Sequence, residues 1–269
     1  MAKHADLIDL WGEHPFPPAE PVSWKVGTLR LWSRSTEQEV WLAYQHDNDS
    51  EEEPSTIDAM PEDLVWSRWA LKKPYQSLRL VPVHADRPML VRPEQPFRVL
   101  QKTDARIYMR IPIWLKIEVG SRSRLKLLEV PTIILSDTWF GSTTAGELCY
   151  WISTGARRQI EPDLARPFLA ICPVQIKNES DDELFFEKIC LRVEYLALFT
   201  CNGQLWSDET RIRYHGKNEA SRIENTGKVP PEAKEATMIT PPRKDNKKGL
   251  AAKTFATLRE LSGIELLSR

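Results

Sequence analysis

The chain has 269 residues, 41% of them hydrophobic, and a formal charge of −1. Near-neutral charge excludes binding to nucleic acid by bulk electrostatics. No apolar run approaches the roughly 18 residues of a membrane helix, and twenty Pro against eleven Gly suit a β protein with Pro-limited strands.

From the N-terminus, Met1–Trp11 has no basic segment followed by an apolar block, so no signal peptide is expected. Cys149, Cys172, Cys190 and Cys201 stand singly, and the expectation is four reduced thiols in a cytoplasmic protein. A Cys172–Cys190 disulfide across a hairpin is the less favoured alternative. Trp24–Trp32 and Glu39–Tyr44 read as a hairpin turning near 33–38. Asp47–Asp63 carries eight acids and no base. Its spacing is not that of a calcium loop, because Glu52 stands where the turn needs Gly. Residues 62–72 and 76–83 read as strands, and Pro88, Pro93 and Pro96 make 84–97 an extended connector.

The clearest element is 106–119, R-I-Y-M-R-I-P-I-W-L-K-I-E-V, in which every odd position is apolar. That period-two pattern is a strand with one buried face. Pro112 lacks an N–H, so the strand must bulge or lie at an edge there. Short strands follow at 125–129, 132–135 and 147–153. Leu169–Lys177 and Leu184–Val193 read as a pair joined by the turn 178–182, and Asn202-Gly203 as a tight hairpin turn. Residues 217–248 lack aromatic residues and contain two Pro-Pro pairs, as a disordered linker would. In 249–269, Phe255, Leu258, Leu261 and Ile264 recur at three-residue steps, the stripe of an amphipathic helix.

The expected organisation is mainly β. An N-terminal β region (1–94) is followed by a β-sandwich, immunoglobulin-like in architecture (95–216), then a disordered linker (217–248) and an amphipathic helix (249–269).

The runs Asp86-Arg87-Pro88, Leu135-Ser136-Asp137-Thr138-Trp139-Phe140-Gly141, Gly146-Glu147-Leu148-Cys149-Tyr150, Cys172-Pro173-Val174-Gln175-Ile176-Lys177-Asn178 and Leu205-Trp206 resemble the signature of a prokaryotic family of unknown function. The resemblance covers roughly 82–214. It implies no activity, cofactor or catalytic residue, and a loose association with mechanosensitive membrane channels.

Three sets of residues are candidate binding surfaces. Phe255, Leu258, Leu261 and Ile264 form a helix face for a protein partner. Trp139, Thr143 and Thr144, with Arg157 and Arg158, offer hydroxyls, backbone N–H groups and cations to a small anion, although the loop lacks the Lys of a P-loop. Arg106, Tyr108, Arg110, Trp114 and Lys116 alternate cations and rings, as a polyanion-binding face does. The bland readings are a turn pinned by Trp139 and Phe140, and rings packed beneath a second layer. No metal-ligand spacing and no catalytic constellation is found, and no cofactor is expected. The sequence therefore points to a non-catalytic interaction protein. Its partner is a protein, either a channel-type membrane complex or a second copy of the chain. Specific nucleic-acid binding and membrane insertion are not expected. The alternative is an anionic-ligand or catalytic site at 137–158.

Overall fold

The structure, a computed structural model, describes residues 10–16, 21–47, 60–120, 123–144, 146–160, 166–217, 219–245, 250–252 and 255–256. Its strands, in chain order, begin with β1 (Gly12–Pro15), β2 (Val22–Val26), β3 (Leu29–Ser35), β4 (Glu39–His46), β5 (Ser67–Ala70), β6 (Ser77–Val83), β7 (Met89–Pro93) and β8 (Phe97–Val99). The middle of the chain supplies β9 (Asp104–Pro112), β10 (Trp114–Val119), β11 (Leu125–Pro131), β12 (Ser136–Phe140), β13 (Glu147–Thr154), β14 (Ala156–Arg157), β15 (Leu169–Asn178), β16 (Leu184–Phe186) and β17 (Lys188–Leu191). The remainder are β18 (Leu198–Cys201), β19 (Gln204–Ser207), β20 (Thr210–Tyr214), β21 (Ser221–Asn225), β22 (Thr237–Thr240), β23 (Leu250–Ala252) and β24 (Phe255–Ala256). The fold is mainly β, with open, sandwich-like sheets. Among the described residues no helix is long and apolar enough to cross a membrane.

The run 106–119 explains the layout. Pro112 offers no N–H, and the strand breaks at Ile113 into β9 and β10, which enter different sheets. β9 lies beside β15 in the nine-stranded sheet, whereas β10 lies between β6 and β11 in a four-stranded one. The period of two survives the break. Ile107, Met109 and Ile111 enter one core with Met89, Val91, Val174, Ile176 and Ile189, while Leu115, Ile117 and Val119 enter a second with Trp24, Leu31, Leu78 and Leu80. Every odd residue from Ile107 to Val119 is at most 1% exposed. Each such aliphatic side chain contributes about 1.5–3 kcal/mol of burial, so one stretch anchors both halves of the molecule.

A second proline performs the same service in β15. Ala170 and Ile171 pair in parallel with Leu205 and Trp206 of β19, and Val174–Asn178 with Thr210–Tyr214 of β20. Pro173 stands where the pairing passes from one neighbour to the next. These parallel pairs, and that of β13 with β7, depart from the all-antiparallel immunoglobulin pattern.

Several expectations change. Trp24–Trp32 is two strands, turning at Gly27-Thr28. β15 does not pair with the two strands directly after it: β16 joins β8, and β17 joins β7. The Asn178 side chain gives the reason. It donates to the Val99, Leu100 and Asp182 carbonyls and accepts from Ser180, tying the turn to the 99–100 loop instead of closing a hairpin. The Asn202-Gly203 hairpin forms as expected, with φ of 50° and 76° at the two residues.

The stretch expected to be a disordered linker carries β21, paired with β20, and β22, paired with β18. Its charges are used against the body. Glu232 holds Arg106, Arg243 Nε donates to the His84 carbonyl at 2.6 Å, and Lys244 Nζ lies 3.4 Å from Glu194. The expected terminal helix is also corrected where it is described. Leu250–Ala252 adds to β21, and Phe255–Ala256 adds to β17. Open sheet edges offer unpaired backbone groups, and pairing with them outweighs a three-residue apolar repeat. Leu258, Leu261 and Ile264 lie outside the described residues.

The boundary drawn at 94 does not separate sheets. β7 belongs with β12, β13 and β17, and β6 belongs with β10.

Candidate functional site

The three motif runs around Arg87, Asp137 and Tyr150 lie on adjacent chain segments. β12, β13 and β7 are neighbours at one end of the five-stranded sheet. Asp137 pairs with Tyr150 across the β12–β13 ladder, and Tyr150 pairs with Met89 at the start of β7, directly after Asp86-Arg87-Pro88. Topology thus gathers residues separated by up to 64 positions in sequence.

Their side chains form one network. Arg87 Nη2 donates to Tyr150 Oη at 2.6 Å, and Arg87 Nη1 to Asp137 Oδ1 at 3.1 Å. Tyr150 Oη donates to Asp86 Oδ1 at 2.9 Å. The guanidinium carbon lies 4.1 Å from the Tyr150 ring, whose centroid is 5.0 Å from that of buried Trp114. Burial raises the Tyr150 phenol above its ordinary range, with Asp86 adding to the effect against the hydrogen bond from Arg87. Burial works against the Arg87 cation, but Tyr150, Asp137 and Asp86 outweigh it and its pKa rises. The result is a fixed cation, two committed carboxylates and a neutral phenol. Such a set ties the β12–β13 ladder to the segment that leads into β7.

What the network positions is an apolar edge. Trp139 and Leu148 stand opposite each other on β12 and β13, 47% and 44% exposed. Among the described residues β12 is the outer strand of its sheet. Trp139 Nε1 donates to the Ser142 carbonyl at 2.9 Å, which fixes the indole over its own loop. Gly146 lies beneath the ring: a Cβ there would strike the indole and come 2.7 Å from the Ser142 carbonyl. Ile134, two residues before β12, is 66% exposed.

The residues singled out from the sequence divide differently. Thr143 and Thr144 are exposed near the Glu147 end of β13, whereas Arg157 and Arg158 follow its Thr154 end. Eight strand residues span about 26 Å, so the two halves of the expected anion loop do not face each other. Arg157 pairs along β9 opposite Tyr108.

The expected polyanion face is divided between two sheets at Ile113, and its charges are matched. Arg106 donates to Glu232 at 2.7 and 3.0 Å and also to Glu209. Tyr108 Oη donates to Glu232 at 2.6 Å. Trp114 is 6% exposed, and Lys116 pairs with Glu118 at 2.7 Å. Arg110 is half-buried on β9. Of the expected helix face, Phe255 lies in β24, opposite Ile189.

Asp86, Arg87 and Tyr150 fall in the motif runs, but nothing in the sequence assigns them to a common site. Their signal was the motif itself, and only strand adjacency reveals what it builds. All four cysteines are free thiols. Cys172 and Cys190 sit on strands that do not pair, so the hairpin disulfide has no hairpin. Among the described residues, no group of three or more His, Cys, Asp or Glu is arranged to hold a metal ion.

No curated protein and no solved structure matches this chain. A family model matches residues 10–259, well beyond the 82–214 stretch of the resemblance, and the chain belongs to that family, described as protein of unknown function (DUF432).

Proposed function

We propose that the chain is a non-catalytic protein-interaction protein whose contact surface is the β12 edge. The partner contributes an extended segment that adds to Ser136–Phe140 and lays an apolar side chain on Trp139 and Leu148. The observation that carries this reading is the paired exposure of two large apolar residues at an outer strand. An open strand edge supplies main-chain hydrogen bonds and adjacent side chains supply selectivity, which is the logic of strand addition. The motif network adds support, because it spends two carboxylates and an arginine on holding this edge still. On the family resemblance, the partner is a channel-type membrane complex met from the cytoplasm, and a second copy of the chain is the alternative.

The test is affinity capture from soluble and membrane fractions, using the full chain and a Trp139→Ser/Leu148→Ser chain of equal melting temperature. The reading expects one protein enriched by the first bait and lost with the second. Equal enrichment by both baits sinks it. Sedimentation of the purified chain identifies self-association, which the same pair of substitutions should abolish if the partner is a second copy.

A further inference from the structure

On the face of β13 opposite Leu148, two thiols meet inside the five-stranded sheet. Cys149 on β13 and Cys190 on β17 both flank β7 and bring their sulfurs to 4.0 Å. They are 0% and 1% exposed, walled by Leu90, Phe140 and Trp151. Glu147 Oε1 lies 3.7 Å from Cys190 Sγ and is ion-paired with Arg192. The Glu147 side chain is 35% exposed, so it connects the thiols to solvent.

A disulfide does not fit this placement. Strands on either side of a common neighbour lie about 9.5 Å apart, beyond the roughly 7 Å between Cα atoms that a disulfide spans. An ion between the sulfurs does fit. Two metal–sulfur bonds of about 2.3 Å reach about 4.6 Å in line and about 4.0 Å at a 120° angle. A divalent ion seeks four donors; the nearby Glu147 carboxylate is engaged by Arg192, and among the described residues no group of three or more His, Cys, Asp or Glu is arranged to hold a metal ion. A soft monovalent ion is satisfied by thiolate sulfur alone.

We propose that Cys149 and Cys190 form a two-thiolate site for a soft monovalent cation of the copper(I) class. Binding breaks two S–H bonds, forms two metal–sulfur bonds and releases two protons to water, with no change of oxidation state. The Arg192–Glu147 ion pair lies beside the resulting anionic dithiolate. The adjacent Cys149 thiol and burial hold Cys190 protonated well above its ordinary range.

The experiment offers copper(I), held anaerobically by a coloured chelator, to the reduced full chain. The expected result is one equivalent withdrawn per chain. Cys149→Ser and Cys190→Ser should each weaken withdrawal by more than about 100-fold, the upper end for losing even an outer-shell partner. Cys201→Ser should leave it unchanged. X-ray absorption of the loaded wild-type chain needs no variant and should show two sulfur neighbours. Failure of the wild type to withdraw copper(I), withdrawal that survives both serine substitutions, or nitrogen and oxygen neighbours at the metal overturns the assignment. Equal retention of zinc(II) overturns the two-coordinate site.

Discussion

Trp41 and Trp139 both stand on outer sheet surfaces, and their surroundings differ in one respect. Around Trp41 every valence is used. Arg34 and Arg68 each lie 4.1 Å from its ring, Arg34 is also 4.7 Å from Trp66, and Glu39 accepts from the indole N–H at 2.9 Å and from Arg68 at 2.8 and 2.9 Å. Around Trp139 the indole N–H is taken by its own loop and Gly146 lies under the ring, while the rest faces water. The first arrangement is closed by cation–π and charge-assisted contacts. The second is held in place but left uncovered. A tryptophan on a sheet surface is therefore informative about function only when its neighbours have not already consumed it.

Substitutions should separate the two. Trp41→Ala removes the ring on which two arginines stack, with an expected cost of about 2–3 kcal/mol in urea unfolding. An effect as small as that at Trp139 would show that the clamp is cosmetic.

Burial, with Arg243 nearby, holds His84 neutral and its pKa down to about 3. Below pH 6.5 the unfolded chain takes up a proton that the folded chain refuses, so stability present above 6.5 is lost as pH falls. The expected loss is roughly 2–3 kcal/mol between pH 6.5 and 4.5. His84→Gln should flatten that slope, and an unchanged slope would assign it to other groups.

Gly146→Ala should displace the Trp139 indole and cost about 1–2 kcal/mol. Partner capture should fall with it, whereas Trp41→Ala should leave capture intact. Trp139→Ala is expected to change stability by less than about 1 kcal/mol while removing capture. A large stability loss there would mean that the ring serves its own fold.

The smallest effect is a titration. The Arg68 hydrogen bond holds Glu39 below the usual carboxylate range. Its contribution is present above that range and is lost as pH falls through the lowered value. Tryptophan fluorescence should register this in the wild type and not in Glu39→Gln.

Much of the architecture was legible. The alternation in 106–119 named Ile107, Met109, Ile111, Leu115, Ile117 and Val119 as buried, and Pro112 announced a break, but Trp114 on the even face is buried in the first core as well. The Asn202-Gly203 turn formed where expected. Pairing between distant segments was not legible. Whether Leu184 joins Leu169 or Val99 depends on an Asn178 side chain that reaches carbonyls 79 residues away. The 217–248 stretch read as linker because it lacks aromatic residues, yet its carboxylates and cations meet partners on the body that composition does not reveal. A chain ending at Gly216 would strip β21 and β22 from their sheet, so point substitutions at the β12 edge test the interaction more cleanly.

The candidate site follows the same division. Motif text marked Asp86, Arg87, Asp137 and Tyr150, but only the order β12-β13-β7 makes them one network. Local sequence by itself determined which residues face inward, because side-chain direction in a strand alternates with a period of two whatever the strand pairs with. Tertiary structure alone decided which strands became neighbours. Backbone hydrogen bonds are identical for every partner, and the choice rests on side chains brought together from far along the chain. It also decided which exposed ring, Trp41 or Trp139, was left uncovered.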